Sequence, residues 1–253
     1  MLKIPNGHEY KLVYLDTNAI SEISKNYKNS FINFFEHFNF FKSENCQRYA
    51  LVTTVYNMVE LNKTREEYKS KIIDKFDLIP VLIVEAFPQV IITELNKDDF
   101  VMFGTGVKPL FNNQFSTVFN QINALNNQNK ILQNNLNSEL KIWEKDRTLK
   151  KSMNSLFESS YYLYNSYNYD YNILYNSKSA QIFSYIKYHF LYETKFPICE
   201  NSIIDSYNAC IAPFVDVYVG ERSVTSWLEK SKDKYDFMAD VECIKISKFY
   251  DKD

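Results

Sequence analysis

An α/β protein built on a parallel sheet is predicted by three observations. Short apolar runs alternate along the chain with longer segments of helical spacing. The first such run, residues 11–15 (KLVYL), barely alternates, as befits a strand covered on both faces. The chain has 253 residues, 45% of them hydrophobic and 24% charged, enough for one large globular domain or a domain carrying an insertion.

After the first strand, Thr17 or Asn18 is placed to cap a helix running to Phe41. Its Phe31, Phe34, Phe35, Phe38 and Phe41 recur at three- and four-residue spacing and paint one core-facing stripe. Residues 50–53 lead into a helix carrying Glu60, and residues 65–75 into another. Residues 79–84 and 90–93 read as short strands. The character then changes. Ten Asn fall between positions 112 and 137, yet Phe115, Phe119, Ile122, Leu125, Leu132, Leu136, Leu140 and Trp143 keep mostly helical or heptad spacing. This predicts an amphipathic helix and not a disordered linker. A tyrosine-dense stretch follows, with Tyr161, Tyr162, Tyr164, Tyr167, Tyr169, Tyr171 and Tyr175. Such rings can stack on single-stranded bases, but the chain-wide excess of Asn, Lys, Ile, Phe and Tyr accounts for them as well. The α/β pattern resumes at Ser202, with a last strand over 241–246 and a polar tail from Lys248. The expected organisation is an α/β domain from 1–96 and 181–253, interrupted by a helical insertion over 97–180.

Composition excludes several classes. A net charge of −2 is not that of a globally basic nucleic-acid binder, although a metal centre built of acids lowers the count locally. Only 4 Gly leave no room for glycine-rich phosphate loops. The cysteines, Cys46, Cys199, Cys210 and Cys243, are far apart and lack the paired spacing of a zinc ribbon or redox motif. Free thiols in a reducing compartment are expected. His8, His37 and His189 are scattered, with no context for a Ser-His-Asp or Cys-His nucleophile. The polar N-terminus and the lack of an 18-residue apolar run point to a cytoplasmic protein with no membrane partner.

Four acids carry the chemistry. LVYLDTNAIS ends a strand in Asp16, and ALVTTVYNMVEL carries Glu60. NSIIDSYNACIAPFVDVYVGERSVTSWL places Asp205 at the start of a helix and returns through a short strand to Glu221. Hydrolysis of a phosphodiester requires charge neutralised on the phosphate and a water made nucleophilic, and divalent ions do both. Hard Mg²⁺ or Mn²⁺ selects carboxylate oxygens, so acids converging at strand ends are the expected ligand set. Taken singly, Glu60 reads as a solvated helix charge, Asp205 as a helix N-terminal acid and Glu221 as a surface turn. Asp216 is a weaker alternative to Glu221, because it precedes its strand and belongs at the opposite sheet edge. For substrate contact, Lys63 and Arg65 follow Glu60, and Arg222 adjoins Glu221. Lys145, Arg147, Lys150 and Lys151 form a further basic cluster, interleaved with Glu144 and Asp146.

The order of these segments resembles the PIN-domain nuclease family, on Leu15-Asp16-Thr17-Asn18, Thr53 through Glu60-Leu61, Asp205 with Ala209 and Ile211-Ala212, and Val217 through Glu221. The likeness spans roughly the first 100 and last 60 residues, with Glu at the fourth acid where Asp is usual. It implies a parallel-sheet three-layer PIN-like domain acting as a Mg²⁺- or Mn²⁺-dependent endoribonuclease. Asp16, Glu60, Asp205 and Glu221 would be its metal ligands and catalytic residues, with Thr17, Asn18 and Ser223 in hydrogen-bonding support. The implied partners are RNA or single-stranded DNA, and a protein inhibitor or antitoxin, in a monomer or an oligomer. The alternatives are a PIN-like binding or scaffold module that no longer cuts, motivated by Glu221 and the low basicity, and a structure-selective DNA nuclease.

Overall fold

The computed structural model describes residues 10–20, 30–38, 40, 48–84, 87–96, 101–103, 114–124, 129–156 and 175–250. In chain order these form β1 (Tyr10–Leu15), helical residues 17–20, α1 (Ser30–Phe38), β2 (Arg48–Thr54), α2 (Val55–Asn62) and α3 (Glu66–Phe76). Next come β3 (Val81–Val84), α4 (Gln89–Asn96), β4 (Val101–Phe103), α5 (Gln114–Ala124) and α6 (Asn129–Leu149). The chain closes with α7 (Lys178–Tyr192), α8 (Glu200–Ala209), β5 (Val217–Gly220), α9 (Arg222–Ser231) and β6 (Glu242–Lys245).

The six strands form one sheet in the order β4-β3-β2-β1-β5-β6. All neighbours are parallel except β3 and β4. Successive residues of β1 feed opposite cores, as strand geometry requires. Leu12 and Tyr14 join one cluster with Val52, Leu82, Tyr218 and residues of α6, α7 and α8. Val13 and Leu15 join the other with Leu51, Val81, Val219 and residues of α1, α2, α3 and α5. Helices therefore cover both faces, which is why the central strands read as continuous apolar runs. No helix among the described residues is long and apolar enough to cross a membrane.

Three elements differ from expectation. Residues 90–93 lie in α4 and not in a strand. Val90 and Ile91 are buried, and a four-residue apolar run suits either element, so length and neighbours decide. Segment 97–180 is not wholly helical, since β4 adds an antiparallel strand to the sheet edge. It is also woven into the fold: α5 packs on α2 and α3, and α6 packs on α7 and α8. The N-terminal aromatic helix is described only over Ser30–Phe38, and Phe41 lies outside the described residues. The same holds for the tyrosines at 161–171.

Long-range polar contacts fix the helix ends. The Glu94 carboxylate of α4 accepts from the Ser177 hydroxyl at 2.7 Å and from the Lys178 and Ser179 amides at 2.7 and 3.0 Å. An anion thereby satisfies the unpaired amides that begin α7. Asp77, just after α3, accepts from the Ser116 amide of α5 at 3.0 Å in the same way.

Candidate active site at the carboxyl edge of the sheet

The strand order reverses at β1, which has β2 on one side and β5 on the other. In parallel α/β sheets that reversal opens a crevice beyond the C-terminal ends of the two strands. Leu15 pairs with Val219, so both strands end at one edge. Asp16 follows β1 directly, with its amide donating to the Val219 carbonyl at 2.9 Å. Glu221 follows β5 and forms the N-cap of α9. Glu60 projects from α2, whose N-terminus continues from the end of β2, and Asp205 from the middle of α8, not from its first turn as expected, because the helix begins upstream at Glu200 behind the Cys199 cap.

The four carboxyl groups act on one another. Burial, then the charges of Glu60 and Glu221, raise the Asp16 carboxyl from 3.8 to about 8. Burial, followed by the charges of Asp16, Glu221 and Glu60, holds Asp205 well above the usual carboxylate range. Burial also raises Glu60; a Thr17 hydrogen bond and Lys63 oppose the rise, and Glu221 adds to it. Asp16 is 2% exposed, while Glu60, Asp205 and Glu221 keep part of their surface open. The arrangement is thus a mouth of acids whose deepest member is Asp16. Like charges gathered out of water hold their protons until a cation relieves them.

A buried hydrogen-bond chain stiffens this edge. The Thr17 amide donates to Asp16 Oδ1 at 2.9 Å, and its side chain bonds Glu60, so one residue braces two of the acids. Asn57 Nδ2 donates to Thr17 Oγ1. Asn57 Oδ1 accepts from the Tyr14 hydroxyl at 3.1 Å and from the Thr54 amide and hydroxyl at 2.9 and 2.7 Å. Thr54 Oγ1 also lies 3.1 Å from Asn208 Oδ1 on α8. The Thr54–Asn57 pair is the capping box of α2, with Asn where Glu or Gln is usual. Spacing alone suggests that cap; only the fold reveals its link to Thr17.

Gly220 permits the close approach of β5. A Cβ there would sit 2.8 Å from Tyr218 Cε1, 3.3 Å from Thr225 Oγ1 and 3.4 Å from Asp16 Cβ. Tyr218 is fully buried and its ring stacks on Tyr14 at 5.0 Å, which leaves it little room to yield. Burial and the Asp16 charge keep the Tyr218 phenol protonated, and its hydroxyl has no hydrogen-bond partner among the described residues.

The remaining sequence candidates divide. Asn18 follows Thr17 in the helical turn beside Asp16 and is half-buried. Lys63 acts on Glu60 from the end of α2, while Arg65 is exposed at the start of α3. Arg222 and Ser223 are exposed on the first turn of α9, next to Glu221. Asp216 is not brought to the site. Its Oδ2 accepts from the Leu12 amide at 2.7 Å and its own amide donates to the Leu12 carbonyl at 3.0 Å, which clamps the opposite end of β1 and β5. In the basic cluster, Lys151 pairs with Asp146 at 3.0 Å; Lys145, Arg147 and Lys150 are exposed. Cys199, Cys210 and Cys243 are free thiols, and Cys46 lies outside the described residues.

The donor set suits a hard divalent ion: all-oxygen and anionic, with a proton-holding tendency that a cation would reverse. Among the described residues no group of three His, Cys, Asp or Glu is drawn close enough to form a ready-made metal cage. Mg²⁺ does not need one, since it keeps several waters and uses one or two carboxylates together with substrate phosphate oxygens. Comparison of the chain with protein-family models, curated proteins and solved structures found no match.

Proposed function

We propose that the chain is a PIN-like, Mg²⁺- or Mn²⁺-dependent endonuclease that hydrolyses phosphodiester bonds, with RNA as substrate, working in the cytoplasm. The observation that carries this reading is the mutual electrostatic action of Asp16, Glu60, Asp205 and Glu221 at the strand-order reversal. These residues would hold the ion, which when bound supplies charge neutralisation and a more acidic water. With the ion bound, Asp16 and Asp205 would serve as carboxylate ligands; as water adds to phosphorus and the ester P–O bond breaks, its proton leaves to solvent and the departing oxygen takes one up. Thr17 holds Asp16 and Glu60 in place, and Asn57 holds Thr17. Lys63, Arg65 and Arg222 contact the flanking phosphates.

A second reading, a PIN-like module that binds nucleic acid or a protein without cutting, draws on Glu221 at the fourth acid and on the net charge of −2. Incubating the full chain with labelled single-stranded RNA, single-stranded DNA and flap DNA, with Mg²⁺, Mn²⁺ or EDTA, separates the readings. Divalent-ion-dependent RNA cleavage that Asp205→Asn removes supports the endoribonuclease. Preferential flap cutting assigns a structure-selective DNA nuclease. Binding without cleavage of any substrate assigns the binding module.

A further inference from the structure

Beside the acids, on the far side of Glu221, lies a groove of about 680 Å³ between α9 and the end of β6. Its rim carries Arg222 and Lys230 from α9 and Lys245 from β6, with Ser223 and Ser226 between them. These cations are exposed and make no ion pair among the described residues, in contrast to Lys232, which pairs with Glu229 at 2.8 Å one turn away. Glu221 lines the same groove and also acts on Asp16, Asp205 and Glu60. The groove and the acidic mouth therefore meet at one residue. Trp227 does not offer a stacking face here, because it is 8% exposed and packed on His189 and Phe190.

We infer that this groove is the path of the polynucleotide backbone flanking the scissile phosphate, with Arg222, Lys230 and Lys245 contacting successive phosphates of a single strand irrespective of sequence. Three unpaired cations spread along an open channel make a phosphate track. The hydroxyls of Ser223 and Ser226 add donors for phosphate oxygens, and the indole lining the groove is buried. The inference rests on the nuclease reading only for which phosphate is cut; binding along the groove stands apart from it.

The test is fluorescence anisotropy of the full chain with end-labelled oligouridylate and oligothymidylate over a range of NaCl, in EDTA so that neither is cleaved. The wild type is compared with Arg222→Ala, Lys230→Ala, Lys245→Ala and the triple variant, with circular dichroism to verify folding. Each lost phosphate contact should lower the salt slope by about 0.7, so the triple variant should lose about two units and most of its affinity. Lys141→Ala, exposed on α6, should change neither. Wild type that binds neither oligonucleotide, or a folded triple variant with wild-type affinity and slope, overturns the inference. Equal loss for both oligonucleotides assigns pure phosphate tracking, whereas loss for RNA alone assigns 2′-hydroxyl contacts to the same groove. If the wild type binds but never cleaves, the nuclease reading fails and the groove remains. If the triple variant cleaves with unchanged KM, the groove fails and the nuclease remains.

Discussion

Two places in this molecule bury charge, and they do so in opposite ways. Between α6 and α7, Lys187 is completely buried, yet its Nζ reaches Asp146 at 2.8 Å and the Leu156 carbonyl at 3.1 Å. Lys151 braces the same carboxylate at 3.0 Å, and Glu139 accepts from Trp143 Nε1 at 3.0 Å. At the carboxyl edge of the sheet, Asp16 and Asp205 are surrounded by like charge, and the cation acting there, Lys63, bears on Glu60. At the paired site the partners meet part of each other's desolvation: Asp146 and Glu139 support the Lys187 ammonium, although burial still lowers its pKa. Like charge gathered out of water costs stability in the metal-free chain, and a bound cation would relieve it.

The largest expected effect lies at the acidic edge. Asp16→Asn and Asp205→Asn each remove a ligand charge and almost no volume, and should abolish divalent-ion-dependent cleavage. A single-turnover assay showing wild-type rates in either variant would sink the ligand assignment. The paired cluster should respond in the other currency, stability. Lys187→Met leaves Asp146 buried with only Lys151 beside it, and should cost about 3–5 kcal/mol in urea unfolding. A loss below 1 kcal/mol would show that Lys151 alone suffices and would erase the contrast.

pH sharpens the difference. The Asp16 carboxyl sits near 8 in the fold against 3.8 ordinarily. Below about 4 both folded and unfolded chains hold its proton, so its contribution is unimpaired there. Between about 4 and 8 the unfolded chain binds one proton fewer, and metal-free stability should fall by up to about 1.4 kcal/mol per pH unit. Asp16→Asn should flatten that decline and raise metal-free stability at pH 7. Parallel pH profiles for wild type and variant would contradict this. The smallest effect is expected at Asn57→Ala, which strips partners from Thr54, Tyr14 and Thr17. Chemical denaturation should report a loss of about 1–3 kcal/mol, with cleavage falling as Thr17 loosens its hold on Asp16 and Glu60. Intact cleavage at full stability would remove Asn57 from the supporting chain.

Asp16 and Glu221 were legible at the ends of apolar runs because that placement is local, whereas Asp205 was read as opening its helix and instead stands in the middle of α8, which begins at Glu200. Asp216 was separable on the same ground, since it stands before its strand. Asn57 was not legible as a support, because its bonds to Tyr14 and Thr17 join residues far apart in the chain. Lys230 and Lys245 were missed for a related reason. They meet across a groove only because β6 pairs with β5 and lays its end against α9. Residues 90–93 misled because a short apolar run carries no period long enough to separate strand from helix.

The proposal that the four acids at the carboxyl edge take up a divalent cation is tested most directly by thermal melting of the metal-free chain at pH 7.5 with Mn²⁺ titrated in. Mn²⁺ should give a saturable rise in melting temperature, equivalent to about 2.7 kcal/mol at a hundredfold excess over Kd, that Asp16→Asn and Asp205→Asn abolish. A wild-type melt indifferent to Mn²⁺, or one raised equally in both variants, would contradict it.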